Sequence, residues 1–141
     1  MNWIVVGIKW IMVVSGILTT TMIYAAINPE AALQSTFGET LDEPLAKIIV
    51  RNWGALIALI GLMLIYGAFR PAVRSLVLIV AGVSKAIFIA LVLSQGTRYL
   101  SQQAGVAVAI DAVMIVLFAW YLVAARSAAA RAAARPTHLS V

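Results

Sequence analysis

VRSLVLIVAGVSKAIFIALVLS, residues 73–94, is an apolar run with Arg74 at its start and one lysine, Lys85, near its centre. At a rise of ~1.5 Å per residue, a helix of this length crosses the ~30 Å hydrocarbon core of a bilayer. A central lysine costs roughly 2.5–3.5 kcal/mol on the insertion scale, against about −0.3 to −0.6 for each Leu, Ile, Val or Phe. About a dozen such residues lie between Leu76 and Leu93, so the segment still inserts. The ammonium then needs a partner or water.

Three further runs of the same kind, Ile4–Ile27, Ile48–Phe69 and Ala104–Ala125, flank it. Of the 141 residues, 64% are hydrophobic and 11% charged. A water-soluble fold of this size cannot cover so much apolar surface. The sequence therefore predicts an all-α integral membrane four-helix bundle forming one domain over residues 1–141, with spans at about 4–27, 48–69, 73–94 and 104–125. Lys9 and Ala25-Ala26 loosely imitate a secretory leader, but the apolar run continues to Ile27, so the first segment reads as a retained helix.

Composition also narrows the chemistry. The chain contains no cysteine, which removes disulfides, thiolate metal sites and thiol redox work. The single histidine, His138, falls outside every span, so no bis-histidine haem is expected within the helices. No phosphate loop, paired-histidine metal motif or nucleophile elbow is present. The expectation is a protein with no cofactor or metal and no catalytic residue of its own. The net charge of +5 flanks the spans rather than forming a basic domain, which argues against nucleic-acid binding.

The charge distribution sets an expected orientation. Lys9, Arg70, Arg74, Arg126, Arg131 and Arg135 fall on one side, and Lys47, Arg51 and Arg98 on the other. This bias predicts both termini in the cytoplasm. The acidic residues Glu30, Glu39, Asp42 and Glu43 all lie in the first external connection. There, Asn28-Pro29 reads as a helix start and Phe37-Gly38 as its end, giving a short external interfacial helix between the first two spans. Thr40 and Glu43 have capping-box spacing ahead of the second span. Arg70-Pro71 ends that span sharply. The alanine-rich stretch after Arg126 extends the last helix as a cytoplasmic tail, residues 126–141, until Pro136 stops it. Its arginines suit anionic headgroups or a partner protein.

Asp111 is the expected partner of Lys85. Both stand equally far from Arg98, near the apex of the hairpin joining spans three and four, and so lie at similar depth. Arg51 and Asn52 enter the second span from the same side, and Tyr24 approaches that depth from the first. Tyr24, Arg51, Asn52, Lys85 and Asp111 are thus the candidate buried polar network or ligand pocket. A structural network, a pocket for a lipid, quinone or other apolar molecule, and proton or ion movement are all compatible with them. Arg51 and Trp53 can equally be interface anchors. Gly54, Ala58 and Gly61, and in the third span Ala81, Gly82 and Ala86, form stripes for close helix packing. Thr19, Thr20 and Thr21 are expected to satisfy their hydroxyls on carbonyls one turn back.

The order Asn28-Pro29-Glu30, Arg51-Asn52-Trp53-Gly54 and Tyr66-Gly67-Ala68-Phe69-Arg70-Pro71, followed by two more spans, resembles the DoxX-like superfamily of small bacterial four-helix membrane proteins. The likeness covers roughly residues 10–125. That superfamily includes the membrane subunit of an archaeal thiosulfate:quinone oxidoreductase and proteins associated with redox complexes. The absence of cofactor ligands, the stripes of small residues and the cationic tail point to a non-catalytic accessory or structural subunit, with the lipid bilayer and a membrane-protein partner or second copy around it. A pocket for an apolar small molecule, or a small proton-coupled transporter, is the alternative. No thiol role transfers, because no cysteine is present to receive it.

Overall fold

The structure is a computed structural model that describes residues 2–135, and among these every regular element is helical. Six helices follow in order: α1 (Asn2–Thr20), α2 (Ile23–Ile27), α3 (Pro29–Phe37), α4 (Pro44–Phe69), α5 (Pro71–Leu93) and α6 (Gln103–Ala133). Four segments are long and apolar enough to cross a membrane: Trp3–Ile27, Pro44–Phe69, Pro71–Leu93 and Gln103–Ala133. The chain is accordingly described as a multi-pass membrane protein. Pro136, the expected stop of the last helix, and His138 lie outside the described residues.

Local chemistry places most of the boundaries. Asn28 Oδ1 accepts from the Ala31 amide at 3.2 Å, and Pro29 fills the first position of α3. Gly38 ends that helix in the left-handed region, with φ 73°. Arg70 stands between the end of α4 and Pro71, the first residue of α5. The expected Thr40–Glu43 capping box is not formed. Glu43 itself occupies the cap of α4 without a side-chain hydrogen bond, because Pro44 starts the helix and leaves no room for one more turn.

The first span is not one continuous helix. Residues 21–22 form a turn, and the backbone tightens to i→i+3 bonds from Met22 to Thr19, Tyr24 to Thr21 and Ala25 to Met22. Thr20 and Thr21 donate their hydroxyls to the carbonyls of Gly16 (2.7 Å) and Leu18 (2.5 Å). Three successive threonines crowd the helix and draw carbonyls toward side chains, which favours a local break.

Packing follows chain order. α1 and α2 lie against α4, α4 against α5 and α5 against α6, while α1 touches α6 more sparsely. One cluster of buried side chains, including Met12, Leu64, Leu78 and Phe118, joins α1, α4, α5 and α6. Gly16, Gly54 and Gly61 bring α1–α2 and α4 into backbone contact. A Cβ on Gly61 would stand 2.5 Å from the Thr20 amide nitrogen and 2.7 Å from the Gly16 carbonyl oxygen. The stripe expected in the third span behaves differently. Ala81 is buried, Ala86 is exposed, and a Cβ on Gly82 would only reach ordinary contact with Phe118 at 4.0 Å. α5 and α6 nevertheless pack against one another, with Ala81 and Phe118 in the same buried cluster.

Arg74 also differs from its reading as a flanking charge. It is buried, and its guanidinium donates to the carbonyls of Gly67 (3.3 Å) and Ala68 (2.8 Å) at the end of α4. A cation there meets the negative end of the helix dipole and satisfies carbonyls that the helix leaves free.

Candidate functional site

A cavity of about 440 Å³ lies between α1, α4, α5 and α6, toward the end of the molecule that carries α3. Its walls are mainly apolar, from Leu18, Ile57, Ile60, Phe88 and Ile110 among others. Thr36 of α3 and Gln103 at the start of α6 border it at that end. Above them, Phe37 sits 5.4 Å from the Tyr99 ring, edge to face, and 6.3 Å from Trp53. Arg98 donates from Nε (3.1 Å) and Nη2 (2.5 Å) to Glu39 Oε1, so the segment after α3 is tied to the α5–α6 turn. The Glu39 contact raises the pKa of Arg98 further.

The charged groups of the cavity lie together. Lys85 Nζ donates to Asp111 Oδ1 across the α5–α6 interface and to Thr19 Oγ1 of α1 at 3.4 Å. The side chains of Lys85 and Asp111 keep 9% and 16% of their accessibility, so the pair is desolvated but reachable from the cavity. They are the titratable residues in its lining. At such a position the two charges depend on each other, because an isolated ion would face a large desolvation cost.

Ser15, one turn before Thr19, also lines the cavity. It is 1% exposed, and among the described residues its Oγ is a buried side-chain polar atom with no hydrogen-bond partner. Native structures leave few such groups unpaired.

Three of the expected site residues fall elsewhere. Arg51 and Asn52 are exposed on α4, and Tyr24 keeps 47% of its surface; none lines the cavity. Trp53, expected as an interface anchor, does line it, with Ile57 and Ile60 on the same face of α4. Successive helical residues point about 100° apart, so Trp53 turns inward while Arg51 and Asn52 turn out. Thr19, grouped above with Thr20 and Thr21, serves the ammonium instead of its own helix. The spacing of Ser15, Thr19 and Met22 on one face of α1 is the sequence signal for that wall.

Among the described residues, no group of three or more His, Cys, Asp or Glu side chains is placed to hold a metal ion. No family model, curated protein or solved structure matches the chain.

Proposed function

We propose that this protein is a four-span bundle of the bacterial inner membrane that receives an apolar small molecule, a lipid or quinone, in the cavity beside Lys85. Both termini face the cytoplasm and α3 lies at the external surface, in keeping with the lysine and arginine bias and with the resemblance to the DoxX-like superfamily. One observation carries this reading. A cavity of about 440 Å³ falls within the ~300–1,000 Å³ range of small-molecule sites and combines apolar walls with a few convergent polar groups. The sparse contact between α1 and α6 gives a lateral path from the bilayer. A second, smaller cleft of about 140 Å³, lined by Trp3, Gly7 and Trp120, continues the same seam toward the other end.

Native mass spectrometry of protein released from native membranes in mild detergent tests the proposal. The expected spectrum shows a small-molecule adduct that Ala107→Phe, which fills the cavity, removes. Identical adduct-free spectra for both proteins overturn it.

A second reading, a non-catalytic subunit of a membrane complex, draws on α6. Only Ala104 and Phe118 of its 31 residues are buried, and Val113, Val116, Trp120 and Val123 are exposed. At ~1.5 Å per residue α6 also outruns a ~30 Å core, carrying Arg126 and Arg131 beyond it. A stoichiometric partner or second copy that is lost on Val116→Trp supports this role; a monomer without partners in mild detergent removes it.

A further inference from the structure

We infer that the cavity selects a lipid with an uncharged hydroxyl or carbonyl headgroup, seated on Ser15 and the Lys85–Asp111 pair, and discriminates against fatty anions and cations. The inference rests on the pocket reading above and specifies its ligand.

The first argument is Ser15. Serine and threonine hydroxyls within helices normally return to a carbonyl three or four residues back. Thr20, Thr21, Ser35, Ser94 and Ser127 all do so here. Ser15 does not, although it is more deeply buried than any of them. Ser15 lines the cavity, and its buried hydroxyl has both a donor and an acceptor available. Leaving such a group unpaired is unfavourable, and a ligand hydroxyl or carbonyl would recover that cost on binding.

The second argument is charge. Lys85 and Asp111 are the titratable groups of the lining, and they already neutralise one another. An anionic headgroup could gain Lys85 only by leaving Asp111 unpaired where water is scarce. A cationic headgroup meets the mirror-image problem. Separating a buried pair in this way is strongly unfavourable. An uncharged head avoids that choice. Asp111 uses Oδ1 for the ammonium, and its second oxygen accepts no hydrogen bond from the described residues. A hydroxyl can donate to that oxygen and accept from Ser15; a carbonyl can accept from Ser15 and from the remaining Lys85 hydrogen. The apolar walls formed by Leu18, Ile57, Ile60 and Val106 then take the chain.

Trp53 lines the cavity and provides the reporter, whereas Trp3, Trp10 and Trp120 are exposed and can be changed to Phe. The single-tryptophan protein, in phosphatidylcholine nanodiscs, is titrated with terminally brominated undecanol, undecanoate at alkaline pH, undecylamine at neutral pH, and undecane, compared at equal bilayer mole fraction. Bromine quenches Trp53 on contact. Undecanol is expected to quench saturably, with undecanoate and undecylamine weaker by roughly tenfold or more. Ser15→Ala should weaken undecanol about fivefold, the equivalent of one hydrogen bond, and leave undecane unchanged. Equal binding of a charged probe, or undecanol binding indifferent to Ser15→Ala, overturns the headgroup inference while the pocket stands. Quenching by every probe that Ala107→Phe leaves intact removes the pocket, and the headgroup inference with it.

Discussion

Ser15 and Gly16 are neighbours on α1, yet they face opposite conditions. Gly16 meets α4 at backbone distance, where an added Cβ would stand 2.7 Å from the Gly61 carbonyl oxygen. Ser15 faces a cavity toward α6 and finds no partner. The α1–α4 contact is close and built on small residues; the α1–α6 contact is open and lies beside the polar groups of the cavity. Helices in lipid gain no hydrophobic drive toward one another, so their association depends on how closely backbones can approach. A protein that closes one seam this tightly can leave another loose enough to admit a ligand.

That contrast can be broken most sharply at Gly61. Gly61→Leu is expected to remove nearly all folded protein, at or beyond the ~3 kcal/mol upper end of overpacking costs, because the obstructing atoms include backbone. Expression and detergent-resistant monomer, read by size-exclusion chromatography, check it. Normal yield would show that the close approach is dispensable.

Next in size is the charge pair that joins α5 to α6 beside the open seam. Lys85→Met or Asp111→Asn alone should cost about 3 kcal/mol, the lower end for a buried pair since both groups border the cavity. The double variant should recover part of the loss. Reversible unfolding in mixed micelles measures all three, and strictly additive losses would argue against coupling. Thr19→Val should be milder, about 0.5–1.5 kcal/mol, because it removes one long hydrogen bond to the ammonium.

Gly7 is the counterpart of Gly61 on the open seam, with no atom within 4 Å of a Cβ placed there. Gly7→Ala should therefore be neutral or stabilising by up to about 1 kcal/mol through helix propensity. A destabilised Gly7→Ala protein would mean that α1 and α6 approach more closely than the contrast requires.

The smallest expected effect lies at the surface, where Lys47 of α4 pairs with Glu30 of α3. The hydrogen bond and charge of Lys47 lower the Glu30 pKa from 4.5. The pair's contribution is therefore present above the unfolded value, including neutral pH, and is lost as pH falls through the lower folded value. Carboxyl NMR should show Glu30 titrating below 4.5, and Lys47→Met should move it back up. An unchanged titration would mean that the Lys47–Glu30 pair does not help hold α3 against α4.

Much of the helical framework is readable along the chain because its causes are local. Asn28-Pro29, Gly38 and Arg70-Pro71 act through nearest neighbours, and hydropathy sums along a run regardless of packing. Depth is readable too: equal spacing from Arg98 puts Lys85 and Asp111 at one level of a hairpin. The break after Thr20 is less visible, since a run of threonines is also compatible with a continuous helix. Arg74 shows the same limit. A flanking arginine and a buried helix cap are alike in sequence, and only the return of α5 along α4 brings its guanidinium to the carbonyls of Gly67 and Ala68.

By itself the sequence determined that four segments are apolar and long enough to cross a bilayer, and which residues stand near the same depth. Tertiary structure decided which way each helix turns. That choice sent Arg51 and Asn52 outward and Trp53 inward, and gave α1 one glycine face and one hydroxyl face. Rotation about a helix axis has almost no signature in a sequence that is apolar all round. Contacts as close as those between Gly16 and Gly61 are what select it.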